Sequence, residues 1–228
     1  MAGGEPGSHP GRALAGLRIV VSAGPTYEDI DPVRFIGNRS SGKMGFAIAA
    51  AAARRGAGVV LVAGPVVLAT PDGVRRVEVR SAAQMHDAVF AQLPADAYIA
   101  AAAVADFTPR QVAPGKIKKR EGDDGLVLEL VRTRDILADV AADPRRPRLL
   151  VGFAAETEHV EAYARGKLAR KKLDMIAANR VGVAGSGFES DDNALAVYWD
   201  GGMRALGPGP KTVLADGLLD LVLERLRA

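Results

Sequence analysis

Short apolar runs alternate with segments of helical character along most of the chain. The β-branched run Arg18–Ser22 and the apolar run Gly58–Ala63 predict buried parallel strands, since such strands are covered on both faces. Further strands are predicted at these positions: Arg75–Val79, Tyr98–Val104, Leu126–Val131, Leu149–Phe153 and Met175–Ala178. Strand–helix alternation with right-handed crossovers predicts an α/β fold with a Rossmann-like, doubly wound and mainly parallel sheet.

Helices are predicted between these strands: Gly42–Arg55, the segment from Ser81 to about Gln92, Asp135–Ala141 and Val160–Lys172. Ser81 and Gln84 have the spacing of a capping box, which marks a helix start. Near the C-terminus, Ala194–Trp199 and Arg204–Leu206 predict a β-hairpin, and the leucine-rich stretch after it predicts a closing helix. In a sheet of this kind a ligand binds at the carboxyl ends of the strands.

The loop after the first strand carries residue types that suit an anion. Ser40, Ser41 and Gly42 stand where the next helix begins, and a helix start offers backbone N–H groups that have no internal partner. Lys43 adds a positive charge. We interpret this stretch as a phosphate site; the structural alternative is a serine-capped helix after an ordinary βα loop.

Two known nucleotide-binding motifs match this loop at all but one position. Gly37 to Lys43 fits G-x-x-x-x-G-K, but Met44 replaces the Ser or Thr that would ligand magnesium in a P-loop. The dinucleotide motif G-x-G-x-x-G requires a glycine where Ser40 stands. The loop therefore matches neither motif.

Composition narrows the class of protein. The chain has 228 residues, a net charge of +3 and a sequence pI near 9.3. This is mildly basic, and no arginine-rich stripe interleaves with aromatic residues, so we expect no nucleic-acid partner. The sequence contains no cysteine, which excludes disulfides, thiolate zinc sites and cysteine nucleophiles.

The N-terminal segment differs from the rest in composition. Residues 1–16 are predicted to be a disordered tail or linker, because the stretch from Met1 to Gly11 is rich in glycine and proline, and residues 17–228 are expected to form one domain. This segment lacks the apolar core of a signal peptide. The alanine-rich run Ala47–Ala53 is too short to span a bilayer, so we expect a cytoplasmic protein without a membrane partner.

The full loop from Ala23 to Gly45 carries a longer pattern. It has the form A-G-P-T-x-E-x-x-D-P-V-R-F-I-x-N-x-S-S-G-K-M-G, which resembles the motif of the phosphopantothenoylcysteine synthetases (phosphopantothenate–cysteine ligases). The resemblance implies ligation of 4′-phosphopantothenate to L-cysteine with CTP, through an acyl-cytidylate, in coenzyme A biosynthesis. It also implies Mg²⁺ or Mn²⁺, a homodimer, and fusion or association with a flavin-dependent phosphopantothenoylcysteine decarboxylase.

Further blocks extend the resemblance over nearly the whole chain. The block A-A-V-A-D ends at Asp106, and the resemblance implies that Ala101 and Ala102 face the nucleotide while Asp106 holds either the ribose or a metal ion. Lys116 lies in a K-x-K-K stretch that is implied to be a mobile flap over the triphosphate. From the residues alone, Asp106 would cap a turn beside closely packed alanines, and the lysines would form an exposed charged loop.

Two polar residues of the first loop, Arg34 and Asn38, are implied to act on the substrate. Asn38 would donate a hydrogen bond to the acyl oxygen as negative charge develops there. Arg34 would bind an anionic part of the substrate, and Lys116 would complete the catalytic set. From the residues alone, Arg34 would instead pair with Asp31 or Glu28, and Asn38 would occupy a turn.

The resemblance implies a nucleotide site formed by residues from several parts of the chain: Ser40, Ser41, Gly42, Met44, Gly45, Ala101, Ala102, Asp106, Lys116, Asp135, Ile136, Phe153, Lys167 and Lys171. Phe153 stands in a G-F-A-A-E-T block and would pack against the base, or else in the core. Lys167 and Lys171 are four residues apart and share a helix face. Ser186-Gly187-Phe188 and the Asn193 segment resemble the family's G-F-x-S-D-x-N, which implies that Asn193 binds substrate.

Two functions from other classes are weighed against the ligase. A Rossmann-type NAD(P)-binding oxidoreductase predicts an acidic residue at the end of the second strand, where this chain has Ala63-Gly64-Pro65. A non-catalytic, nucleotide-binding regulatory module would bind CTP without releasing pyrophosphate.

Overall fold

A computed structural model of the protein describes residues 12–119, 125–156, 158–180 and 191–228. The strands are β1 (Arg18–Ala23), β2 (Tyr27–Asp29), β3 (Phe35–Gly37), β4 (Gly58–Ala63), β5 (Val74–Glu78), β6 (Ala97–Ala100), β7 (Phe107–Pro109), β8 (Leu130–Arg132), β9 (Leu149–Glu156), β10 (Met175–Arg180), β11 (Asp192–Trp199) and β12 (Gly202–Pro210). The helices are α1 (Lys43–Arg54), α2 (Ala82–Phe90), α3 (Ile136–Ala142), α4 (Val160–Arg170) and α5 (Lys211–Arg227).

Eight of these strands form one sheet in the order β12-β11-β10-β9-β6-β1-β4-β5. From β10 to β5 all neighbours are parallel, whereas β11 and β12 are antiparallel and form the C-terminal hairpin. The strand order reverses direction between β1 and β6, which is the topological switch point of a doubly wound sheet. The predicted Rossmann-like fold is confirmed.

The helices cover both faces of the sheet, and the apolar residues of each strand alternate between two cores. Ile19 and Val21 of β1 point to the core shared with α1 and α5. Val20, between them, points to the core shared with α2, α3 and α4. This alternation follows from the two-residue period of a strand, and it explains why the parallel strands are apolar throughout.

Helix α1 lies very close to β1 because Gly45 has no side chain. A β-carbon at Gly45 would overlap Ala23 of β1. Gly42, directly before the helix, has a φ of +76°, a conformation that favours glycine. These two glycines let the backbone at the start of α1 reach the carboxyl end of β1.

The structure differs from the predicted elements in several places. Strand β6 ends at Ala100, earlier than predicted, and the alanines after it bond to the end of β1 and to the loop that follows: Ala101 N donates to Ser22 O of β1, and Ala103 N donates to Gly24 O. The strand predicted at Leu126–Val131 is β8, which pairs with β7 outside the main sheet. Leu14, placed in the predicted tail, is fully buried in the core, so the packed domain reaches further toward the N-terminus than residue 17.

Two details of the helices bear on the predictions. Ser81 and Gln84 form the predicted capping box at the start of α2. Among the helices of the described ranges, none combines the length and apolar composition needed to cross a membrane.

Candidate active site

The carboxyl ends of the central strands enclose a cleft at the switch point of the sheet. The cleft consists of two adjoining cavities, a larger one of about 470 Å³ and a smaller one of about 270 Å³. They share one wall, formed by Ala102, Val104, Asp106, Phe153 and Lys167. This is where a doubly wound sheet binds its ligand.

The smaller cavity is lined by the start of α1 and by lysine side chains. Ser40, Ser41 and Gly42, predicted to form a phosphate site, line it, and the N–H of Gly42 donates to the Oγ of Ser40 at 3.4 Å. Lys43 also lines the cavity, and its Nζ lies 2.7 Å from a carboxylate oxygen of Asp191. Cations beside a helix start are suited to a polyphosphate.

Lys211 is a residue of this cavity that the sequence reasoning missed. It is the first residue of α5 and only 6% exposed, although it comes from the far end of the chain. Burial lowers the pKa of Lys211, the nearby Lys43 lowers it further, and Asp191 opposes the shift. A buried cation at a cavity wall favours an anionic ligand, since such a ligand offsets the cost of burying the charge. The Pro210–Lys211 pair at a helix start was the available signal.

Two buried amides complete the smaller cavity. Asn193, predicted to bind substrate, lies there beside Asn179, which the sequence reasoning did not single out. The Nδ2 of Asn179 lies 3.5 Å from the Oδ1 of Asn193, and that oxygen also accepts a hydrogen bond from the backbone N–H of Ala194. The residues Ser186 to Phe188, predicted to belong with them, lie outside the described ranges.

The larger cavity is lined by both apolar and charged residues. Ile136 and Leu137 of α3 and Phe153 of β9 form apolar walls, and Lys167 donates from its Nζ to Phe153 O at 2.7 Å. Lys171 pairs with Asp135, with 2.8 Å between Nζ and the nearer carboxylate oxygen. Although burial opposes the shift, this hydrogen bond from Lys171 lowers the pKa of Asp135, so the carboxylate stays charged.

Arg34 lies outside both cavities and makes contacts within its own loop. It pairs with Asp31, which was one of the two structural partners considered, and its Nη2 also donates to Ile117 O at 2.9 Å. Asp31 is buried and accepts backbone hydrogen bonds from Val33, Arg34 and Ile117. The hydrogen bond from Arg34, assisted by these backbone groups, holds the pKa of Asp31 far below its usual range.

Asn38 and Lys116 also lie beside the cleft rather than in its walls. The Nδ2 of Asn38 donates to Ala103 O at 3.1 Å and to Val104 O at 3.2 Å, next to the shared wall. Lys116 is exposed, on a loop that Asp31 and Arg34 hold at the adjacent Ile117. The roles predicted for Arg34, Asn38 and Lys116 stay predictions.

The remaining predicted nucleotide residues come together in the cleft walls: Ser40, Ser41, Gly42, Met44, Gly45, Ala101, Ala102, Asp106, Asp135, Ile136, Phe153, Lys167 and Lys171. Within the described ranges, no three histidine or acidic side chains are grouped as a metal site. Asp106 lines both cavities, and its predicted contact with either the ribose or a metal ion stays a prediction.

Comparison with known proteins agrees with this architecture. The family model described as DNA/pantothenate metabolism flavoprotein C-terminal domain matches residues 14–226. The chain belongs to this family. Within the family, the site described above lies in the matched region, including Lys211 near its C-terminal end.

Individual members of the family are close relatives. The chain is 51% identical over 216 residues to the Coenzyme A biosynthesis bifunctional protein CoaBC of Vibrio cholerae, covering 94% of this chain and 54% of that protein. It is 51% identical over 219 residues to CoaBC of Escherichia coli K12, covering 95% and 54%. The crystal structure of the C-terminal domain of CoaBC matches with a TM-score of 0.81 and 41% identity, covering 95% of this chain and 98% of that one. The chain thus spans about half the length of these curated relatives.

Proposed function

We propose that the protein joins 4′-phosphopantothenate to L-cysteine with CTP, giving 4′-phosphopantothenoylcysteine, CMP and pyrophosphate. The observation that carries this proposal is the two-part cleft at the switch point in a member of this family. Its smaller cavity has the helix start and lysines that suit a triphosphate, and its larger cavity has the apolar walls that suit a base and ribose. The names of the CoaBC relatives place their biosynthetic role in the same pathway.

In the first step the carboxylate of phosphopantothenate attacks the α-phosphorus of CTP. A P–O bond forms, the bond to the β-phosphate breaks, and pyrophosphate leaves. Lys43, Lys211 and the N–H groups before α1 would hold the triphosphate, and Lys116 would reach it from its loop. Mg²⁺ or Mn²⁺ bound through the phosphates would offset charge, with Asp106 as its protein ligand.

In the second step the amino group of cysteine attacks the acyl carbonyl of the acyl-cytidylate. A C–N bond forms, CMP leaves, and the amine loses a proton. Asn38 lies beside the cleft, where its Nδ2 would exchange one of its hydrogen bonds to Ala103 O and Val104 O for a bond to the carbonyl oxygen. No nucleophile from the protein is required, which agrees with a sequence that contains no cysteine.

Pyrophosphate release tests this proposal directly. We would measure it with CTP and magnesium, with and without 4′-phosphopantothenate, and then with ATP in place of CTP. Release that depends on phosphopantothenate, followed by CMP on addition of cysteine, is the expected result. A folded protein that binds CTP but releases no pyrophosphate under any condition would favour the regulatory-module alternative.

We also propose a homodimer and association with a flavin-dependent decarboxylase. The second proposal is supported by the name of the CoaBC relatives, a bifunctional protein, of which this chain matches about half. The mass of the purified chain in solution, alone and with a separately produced decarboxylase, tests both. A cytoplasmic location stays a prediction.

A further inference from the structure

Two buried hydroxyl groups lie at the inner end of the larger cavity. Ser22 is the second-last residue of β1, and Tyr98 lies on the neighbouring strand β6, on the other side of the switch point. Both side chains line the cavity, and each residue is 1% exposed. The Oγ of Ser22 and the Oη of Tyr98 are 3.0 Å apart and share a hydrogen bond.

The hydroxyl pair retains a hydrogen-bond donor that the described protein atoms do not use. Two hydroxyls carry two protons, and their mutual bond uses one of them. Within the described ranges, neither hydroxyl has a second hydrogen-bond partner. A buried donor without an acceptor is costly, so the second proton is best satisfied by a group inside the cavity that both residues line.

The surroundings of the pair indicate what kind of group this is. Ala100 and Ala102 give the cavity a flat wall along β6 and its extension, and Ile136, Leu137 and Phe153 add apolar surface beside charged residues that also line it. Such a space fits a planar ring, and the polar edge of that ring would meet the hydroxyls. The start of α1, which suits the phosphates, lies in the neighbouring cavity, whereas the alanine wall and the apolar side chains that suit the base line this one.

We propose that the Ser22–Tyr98 pair holds a polar ring atom of the nucleotide base. The inference rests on the proposed function, because it takes a nucleotide to be the ligand. The pair would donate one hydrogen bond to a ring nitrogen or carbonyl oxygen of the base. Since serine and tyrosine hydroxyls rotate freely, the pair contributes affinity for a base in this cavity.

The protonation state of the tyrosine is consistent with a donor role. Burial raises the pKa of Tyr98, and the hydrogen bond with Ser22 offsets only part of this shift. The phenol therefore keeps its proton throughout the physiological pH range, and the second donor is always present.

A double variant tests the proposal, because a single substitution leaves one hydroxyl that can still donate. Ser22→Ala with Tyr98→Phe replaces both partners by apolar groups, a change that is close to neutral for folding. Calorimetric titration would compare CTP with ribose 5′-triphosphate, which lacks the base. We expect the double variant to bind CTP about 3- to 10-fold more weakly and the base-free compound with unchanged affinity.

A matched control and two contrary outcomes make the test decisive. Tyr198→Phe removes the hydroxyl of another buried tyrosine, on β11 and outside both cavities, and should leave both affinities unchanged. Unchanged CTP binding in the double variant, or an equal loss for both compounds, overturns the inference while leaving the proposed function intact. A wild-type protein that binds neither compound contradicts the proposed function, and this inference with it.

Discussion

At the scale of single residues, Lys211 shows how a buried charge can serve a ligand. Its pKa is lowered mainly because burial removes the ammonium group from water. The nearby Lys43 lowers the pKa of Lys211 further by repulsion, whereas Asp191 opposes the shift. A triphosphate in the smaller cavity would offset both terms. Lys211 therefore stabilises the bound state more than the free protein.

Replacing Lys211 by methionine should separate these two states. Lys211→Met keeps most of the side-chain volume but removes the charge, so we expect the affinity for CTP to fall on the order of tenfold. The Tm without ligand should change little, and the rise in Tm at a fixed CTP concentration should shrink. Thermal unfolding with and without CTP measures both.

Lys172→Met, at an exposed position after α4, is the control and should leave both Tm values unchanged. If Lys211→Met lowers the Tm equally with and without CTP, the lysine is structural only. In that case the anion-binding role given to Lys211 is wrong.

At the scale of elements, the loop that carries Lys116 is hydrogen-bonded to the loop between β2 and β3. Asp31 accepts a hydrogen bond from the backbone N–H of Ile117 at 3.1 Å, and Arg34 donates to Ile117 O at 2.9 Å. Arg34 itself is bound to Asp31. One buried carboxylate thus positions both the arginine and the lysine-bearing loop.

Loss of the Asp31 carboxylate should loosen that loop. Asp31→Asn removes the ion pair with Arg34, and we expect trypsin to cleave after Lys116, Lys118 or Lys119 about tenfold faster. The matched control is Asp143→Asn, which breaks another short-range aspartate–arginine pair, with Arg145, on the surface. Equally faster cleavage in both variants would contradict the role of Asp31 in holding the Lys116 loop.

The same carboxylate should give the protein a defined acid sensitivity. Because the pKa of Asp31 is depressed in the folded state, the unfolded chain binds the proton more readily. The stability that Asp31 contributes is therefore complete above about pH 4, the ordinary range of an aspartate, and is lost as the pH falls through the depressed pKa. Urea midpoints of wild type and Asp31→Asn should differ at pH 7 and converge toward pH 3. A difference between the two urea midpoints that stays constant over this pH range would contradict the depressed pKa of Asp31.

Two glycines in helices should respond to alanine in opposite directions. Gly45→Ala places a β-carbon against Ala23 of β1, so we expect a loss of about 1–3 kcal/mol in the free energy of unfolding. Gly166 lies on the exposed side of α4 with open space around it, and Gly166→Ala should stabilise by about 0.5–1 kcal/mol. Denaturant titrations measure both; stabilisation by Gly45→Ala would refute the close contact between α1 and β1.

The elements that could be predicted from the sequence are those that form because of the residues within or directly beside them. The apolar runs predicted β1 and β4, because a strand that is buried on both faces is apolar throughout. The Ser81 capping box predicted the start of α2. The short β2–β3 pair was missed, since it depends on Tyr27 stacking on Phe35, with 3.9 Å between ring centroids, eight positions along the chain. Lys211 was missed for a similar reason: its position in the cleft depends on where α5 packs.

At the scale of the whole molecule, the cleft joins the two faces of the sheet. Helices α1 and α5 lie on one face and contribute Lys43 and Lys211 to the smaller cavity, whereas α3 and α4 lie on the other and contribute Ile136, Leu137 and Lys167 to the larger one. The switch point between β1 and β6 is where both faces are accessible from one opening. A ligand with an anionic end and an aromatic end would therefore contact elements from both layers at once.

Hydrogen exchange should show this division directly. Tripolyphosphate, which lacks a nucleoside, should slow exchange at the start of α1, from Lys43 to Phe46, and leave the start of α3, from Ile136 to Asp139, unchanged. CTP should protect both segments, because its triphosphate would occupy the smaller cavity and its base the larger one. Helix α2 lies away from both cavities and serves as the internal control. Protection of α3 by tripolyphosphate, or protection of α1 alone by CTP, would contradict the assignment of the phosphates and the base to separate cavities.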